Sequence, residues 1–250
     1  MPITGSIITL NEAENIAACI ESVQRVCAEV IVIDSGSTDT TVEIARAKGA
    51  CVIEQTYLGD GPQKALGAKY ASYDWILSID ADERLEPDAV EAINALNLRD
   101  SLNIYAFRRR NFVGSHWIKA AGFYPDYVPR LYNRQNSGYS PKKAHSRVTG
   151  GKVVRLPAHI CHYTYRDYTH WLERINQLSS RDAWAKHSEG KTATPAGATA
   201  RAIFAFVKKL LFKGGILQGS DGWLVAFTTA IHVYMKYMKL SELSSQHNDD

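Results

Sequence analysis

The stretch Trp75–Glu83, WILSIDADE, constrains this chain more than any other. A short apolar run, Trp75 to Ile79, ends abruptly in two acids, Asp80 and Asp82. A run of that length closed by carboxylates reads as a buried parallel strand whose tip opens into solvent. In open α/β sheets, ligands bind beyond the carboxyl ends of the strands. Two Asp side chains on one turn there suit a hard divalent cation, and such a cation commonly accompanies a phosphate. The plainer reading is a strand running into a capped helix, because Asp is also frequent at turns.

The segments around this stretch alternate. Ser6–Leu10 reads as a strand, and Asn11 with Glu14 has the spacing of a capping box. Ile16, Cys19, Ile20 and Val23 then recur at helical spacing. Glu29–Ile33 is a second strand ending in Asp34, followed by the loop DSGSTDTT and a helix closed by Gly49. Cys51–Glu54 is a third strand, and the Gly-rich loop LGDGPQKALG leads into a helix from about Pro62. After Trp75–Ile79, Pro87 opens another helix. This order predicts an α/β fold, a mostly parallel Rossmann-like sheet with flanking helices. From Asn103 the alternation gives way to a loop-rich half with short strands at Asn103–Phe107 and Lys152–Leu156. From Tyr168 the pattern is helical, with Thr192–Thr199 as a linker. The expected division is a catalytic region, 1–165, and a helical C-terminal appendage, 166–250.

Composition narrows the classes. A chain of 250 residues, 45% of them hydrophobic, can bury an ample core. Cys19, Cys27, Cys51 and Cys161 have no metal-like spacing and read as buried thiols of a reducing compartment. With a strand-like run beginning at Ile3, no signal peptide is expected, and no apolar run reaches the roughly 18 residues of a spanning helix. Residues 152–239 hold 13 Lys and Arg against five Asp and Glu. That excess points to an anionic partner.

Asp34, at a strand tip, can accept hydrogen bonds from a ribose or a uracil N–H, and Ser35, Gly36 and Ser37 allow close approach of a ligand. The same residues also suit an ordinary strand–turn–helix joint. A nicotinamide enzyme would carry G-x-G-x-x-G after its first strand, where this chain has Thr9-Leu10-Asn11-Glu12. A nucleotidyltransferase would carry a basic Gly-rich loop there, which is absent. A non-catalytic nucleotide-sugar-binding module would lose its acids, which are present.

SIITLNEAENI, VIDSGSTDTTVEIARAKGA, GDGPQKALG and WILSIDADERLEP, in this order, resemble glycosyltransferase family 2, over residues 3 to about 165. FVGSHWIKAAGFYPDYVPRLY, KAHSRV and CHYTYRD narrow the resemblance to lipopolysaccharide inner-core β-1,4-glucosyltransferases. The resemblance implies a GT-A-like fold, inversion, a UDP-sugar donor and a divalent cation, Mg²⁺ or Mn²⁺. It places Thr9, Asn11, Glu12, Asp34 and Ser35 around the uridine and Lys64 toward the donor phosphates. Asp80 and Asp82 become the metal motif, with His145 as a third ligand. The implied acceptor is a lipopolysaccharide core or another lipid-linked saccharide, and nucleic acid is not an expected partner.

Inversion needs a base for the acceptor hydroxyl. Asp126, in GFYPDYVPRLY between Pro125 and Pro129, is the candidate, with aromatic neighbours expected to desolvate it. Glu83 is expected to face a helix start. Arg108, Arg109, Arg110, Lys142 and Lys143 are candidates for acceptor phosphates, or a solvated basic edge. Trp117, Phe123, Tyr124 and Tyr127 either stack on sugars or belong to the core. Arg201–Phe212 and Trp223–Met238, apolar with flanking Lys, predict in-plane attachment to anionic lipid, or else a helical pair packed on the domain. The expected location is therefore cytoplasmic, peripheral on the inner face of the membrane.

Overall fold

A computed structural model describes residues 1–141 and 146–246. The chain divides into two compact units, one formed by Met1–Arg110 with Asp126–His162, the other by Asn111–Pro125 and the chain from Tyr163 onward.

The first unit opens with the predicted alternation: β1 (Ile3–Thr9), α1 (Ile16–Gln24), β2 (Glu29–Asp34), α2 (Thr41–Ala47), β3 (Cys51–Glu54), α3 (Asp60–Tyr70) and β4 (Trp75–Asp80). Then follow β5 (Glu83–Leu85), α4 (Pro87–Asn94) and β6 (Asn103–Val113). After β7 (His116–Ile118), which belongs to the other unit, come β8 (Asp126–Asn133), β9 (Gly138–Tyr139), β10 (Val148–Thr149) and β11 (Lys152–Tyr165). The sheet order is β3-β2-β1-β4-β8-β6-β11-β5. β1 runs parallel to β2 and β4, and β2 to β3, whereas β8 pairs antiparallel to β4 and β6.

The apolar strands explain themselves by what lies on each face. In β4, Trp75, Leu77 and Ile79 enter one core cluster and Ile76 the other. In β2, Val30 and Val32 point to the first cluster, Ile31 and Ile33 to the second. A strand covered on both faces needs a continuous apolar run, and each such side chain contributes about 1.5–3 kcal/mol on burial. α3 lies directly on β1 because residue 67 is glycine, where any Cβ would collide with the Ser6 hydroxyl.

Two readings change here. Asn11 does not cap α1: its φ is 54° and the helix begins at Ile16, with Asn15 at the cap position. The strands of the later half are longer than their apolar runs, 11 residues in β6 and 14 in β11. The polar end of β6 carries Arg108, Arg109 and Arg110, which meet Tyr127, Asp126 and Glu86.

In the second unit, β7 pairs with the end of β6, and Val113, Ile118, Ala120, Ala121, Trp171, Ile175 and Val225 form its core. Its helices are α5 (Tyr168–Ser188), α6 (Pro195–Val207) and α7 (Gly219–Gln246), with a π turn, Lys208–Phe212, and a 3-10 turn, Gly215–Gln218, between the last two. The expected linker is instead a helix start: Thr194 Oγ1 accepts from Gly197 N at 3.1 Å, and Pro195 is the first residue of α6. α7 is fastened to α5, where Lys239 Nζ donates to Asn176 Oδ1, Ser179 Oγ and Ser180 Oγ at 2.6, 2.9 and 2.8 Å. No helix of the described residues is long and apolar enough to cross a membrane.

Candidate active site

The parallel register sets Thr9 beside Asp34 and Ile8 beside Asp80, so the ends of β1, β2 and β4 share one edge of the sheet. Two loops close over that edge and are tied together. Asn11 N donates to Ser37 Oγ at 2.9 Å, and Asn11 Oδ1 accepts from Thr38 N at 2.8 Å. Glu12 N donates to Thr41 Oγ1, and Glu12 Oε2 accepts from Asn15 Nδ2, both at 2.8 Å. Ser35 N donates to the Thr9 carbonyl at 2.9 Å, and Ser35 Oγ accepts from Gln63 Nε2 at 3.2 Å. Thr9, Asn11, Glu12, Asp34 and Ser35 are thus brought together. The Asp34 carboxylate, however, is spent on its own turn, accepting from Gly36 N, Ser37 N and Ser37 Oγ. Buried Thr9 Oγ1 has no hydrogen-bond partner among the described residues, so a polar atom waits at the strand end.

A chain of charges runs along the same edge. Lys64 Nζ stands 3.0 Å from Asp60 Oδ1 and 2.9 Å from Asp80 Oδ1. Arg130, buried on β8, reaches Asp80 Oδ2 at 2.6 Å and Glu83 Oε1 at 2.5 Å. Arg109 meets Glu83 at 3.5 Å and Asp126 at 2.7 Å. Burial works against the charge on Asp80, but Arg130 and Lys64 outweigh it and hold the carboxyl far below its usual range. Burial likewise disfavours the Lys64 ammonium, and Asp80 overrides it and raises its pKa.

This network revises several expectations. Lys64, expected toward the donor phosphates, is buried between the carboxylates of Asp60 and Asp80. Glu83 is fully buried in β5 and faces Arg130, not a helix start. Asp126 is held by Arg109, whose Nε and Nη2 both donate to Oδ2 at 2.9 and 2.7 Å. Arg110 pairs with Glu86 and Arg108 donates to Tyr127 Oη at 2.8 Å, so each arginine of the run has an internal partner. Phe123 belongs to the core of the second unit, and Trp117 and Tyr124 meet edge to face at 5.1 Å.

The carboxylate next along is different. Asp82 Oδ2 faces His162 Nε2 at 3.2 Å, with both side chains partly open. A carboxylate oxygen beside an imidazole nitrogen is a donor pair that a borderline cation such as Mn²⁺ accepts more readily than the harder, oxygen-seeking Mg²⁺. Nothing in the segment CHYTYRD itself marks His162, because only the antiparallel pairing of β11 with β5 sets it opposite Glu83, next to Asp82. His145, Lys142 and Lys143 lie outside the described residues. Glu86, Asp88 and His159 also place ligand-type atoms within 4.8 Å of one another. There Asp88 accepts from His159 Nδ1 at 2.5 Å and Glu86 pairs with Arg110, at the start of α4 where the helix dipole favours acids.

Residues 6–162 match the family described as Glycosyl transferase family 2. The chain is 32% identical over 254 residues to an uncharacterized glycosyltransferase of Rickettsia felis, covering 96% of this chain and 89% of that one. It is 26% identical to a lipopolysaccharide core biosynthesis glycosyltransferase of Rhizobium meliloti, covering 96% and 92%. Among solved structures, S. aureus TarS is similar at 15% identity with a TM-score of 0.49, covering 73% of this chain and 40% of that one.

Proposed function

The chain belongs to glycosyltransferase family 2, and on that premise we propose that it moves a hexose, glucose first among candidates, from a UDP-sugar to a lipopolysaccharide core or other lipid-linked saccharide, with inversion. The observation that carries this reading is the shared sheet edge: the Thr9–Asn11 and Asp34–Ser37 loops and the Asp80–Asp82 turn converge there. The acceptor class is supported by the name of the Rhizobium meliloti relative. The family excludes the nucleotidyltransferase alternative, and the retained acids argue against a non-catalytic module.

Thr9 Oγ1 and the backbone of the tied loops would bind the uridine. Asp82 and His162 would hold the divalent cation, which supplies charge neutralisation for the departing diphosphate. Asp80, locked by Lys64 and Arg130, fixes the turn from which Asp82 projects. Asp126 would take the proton from the acceptor hydroxyl as its oxygen bonds to the anomeric carbon and the bond to the UDP oxygen breaks. Arg109 fixes the position of the Asp126 carboxylate through Oδ2. Such an enzyme would work from the cytoplasmic side, peripheral to the membrane that holds its acceptor.

A donor-hydrolysis screen across nucleotide sugars, with Mg²⁺, Mn²⁺ or chelator, tests the reading. Turnover of a UDP-hexose that depends on the cation is expected. Preference for a non-uridine donor would overturn the donor assignment.

A further inference from the structure

The second unit carries an exposed apolar surface. The chain reverses between the π turn Lys208–Phe212 and the 3-10 turn Gly215–Gln218, passing through Gly214 at φ 68°. Large apolar side chains face outward there. Leu217 is 88% exposed and Phe212 77%, and Leu211 and Ile216 are exposed beside them. The surface continues along α7, where Trp223, Phe227, Ile231 and Tyr234 recur at helical spacing on one exposed face. Phe206 of α6 joins that face, its ring 6.0 Å from Trp223 and 4.9 Å from Phe227. Monomeric soluble proteins rarely leave an apolar patch of this extent uncovered.

The reversal is braced from within. Lys209 Nζ donates to the Ala121 carbonyl at 2.9 Å, and Ala121 N donates to Gln218 Oε1 at 2.6 Å. Gly222 packs against the backbone of Gly215, where a Cβ would overlap the Gly215 carbonyl. The apolar tip is therefore presented on a fixed frame. The charges beside it have one sign: residues 190–220 contain five Lys and Arg and no acid. Lys208 and Lys213 are exposed at the tip itself. Asp221, the next acid, is paired with His116 at 2.9 Å.

We infer that the reversal Leu211–Leu217 is a wedge that enters the headgroup–acyl boundary of an anionic bilayer, with the aromatic face of α6 and α7 lying in the interface. The inference rests on the membrane-surface part of the function proposed above and names the element that does the binding. Two copies joined through this tip would bring Lys208 and Lys213 against their equivalents, whereas anionic headgroups neutralise them. The long α7 is fastened to α5, so the wedge rather than a whole helix enters the lipid.

Flotation of the full chain with phosphatidylethanolamine–phosphatidylglycerol vesicles, against pure phosphatidylcholine, tests this. The wild type should float with the anionic vesicles and release at high salt. Phe212→Ser with Leu217→Ser should cut the bound fraction about tenfold or more while UDP binding and melting temperature stay unchanged. Lys208→Glu with Lys213→Glu should cut it by a similar factor. Three results would overturn the wedge: no flotation of the wild type, serine variants that float equally well, or a lipid-free dimer that the serine variants dissociate. UDP binding measured on the same samples separates the readings. A wild type that binds UDP but does not float counts against the wedge alone, and a wild type that floats but does not bind UDP counts against the donor alone.

Discussion

Lys64 of α3 grips Asp80 of β4 across 2.9 Å, and Arg130 grips the same carboxylate from the other side at 2.6 Å. The first acid of the Asp80–Asp82 turn is therefore an anchor, and the second, Asp82, is the one that faces an imidazole. Removing one partner of a buried pair leaves charge uncompensated. Lys64→Met should destabilise the fold by about 3 kcal/mol, the low end of the usual range because Arg130 remains. Urea unfolding reads it, and a loss under about 1 kcal/mol would mean that solvent already screens the pair.

The same pair sets the acid limb of stability. Asp80 and Asp60 both have pKa values lowered from 3.8, so the unfolded chain binds more protons as the pH falls through that value. Their contribution is complete above the unfolded pKa and is lost as pH falls toward the folded one. Melting temperature followed from about pH 7 to about pH 2 should fall below pH 4, and more gently in Asp80→Asn. Lys64 is raised above 10.5, so its contribution persists up to that pH and is lost only beyond it. An acid limb unchanged by Asp80→Asn would contradict the assignment.

Asp126→Asn should reduce sugar transfer by about 10²–10⁴-fold, the usual cost of losing general-base help, with UDP and metal binding nearly intact. Retention of more than about a tenth of wild-type turnover would put the base elsewhere.

The thiols differ in access. Cys51 is exposed on β3, against the expectation of burial, while Cys19 is fully buried. Burial, followed by its 2.8 Å bond to Glu86, pushes the Cys161 thiol up to about 12. Iodoacetamide should label Cys51 first in the folded chain, the other three only on unfolding. Cys161 labelled as fast as Cys51, read by mass spectrometry, would contradict this.

The early half of the fold was legible because burial on two faces leaves a plain mark: β2, β3 and β4 begin at Glu29, Cys51 and Trp75, the starts expected from their apolar runs. The turn that delivers Asp80 and Asp82 followed from it. What the sequence could not carry was pairing at a distance. Glu83 looks like a helix-start acid until Arg130 arrives from β8, 47 residues on. His162 is one histidine among eight until β11 pairs with β5. Pro195 and Gly197 mimic a linker, because the residues that begin a helix are also the residues that break one.

The proposed mechanism turns on UDP binding that requires a cation held by Asp82 and His162. Calorimetry of UDP with Mn²⁺ and with chelator, on the wild type, Asp82→Asn and His162→Ala, measures it. Binding by the wild type with Mn²⁺, little with chelator, and a loss of about 10–100-fold in either variant is the predicted result. Equal UDP affinity with metal and with chelator would contradict it.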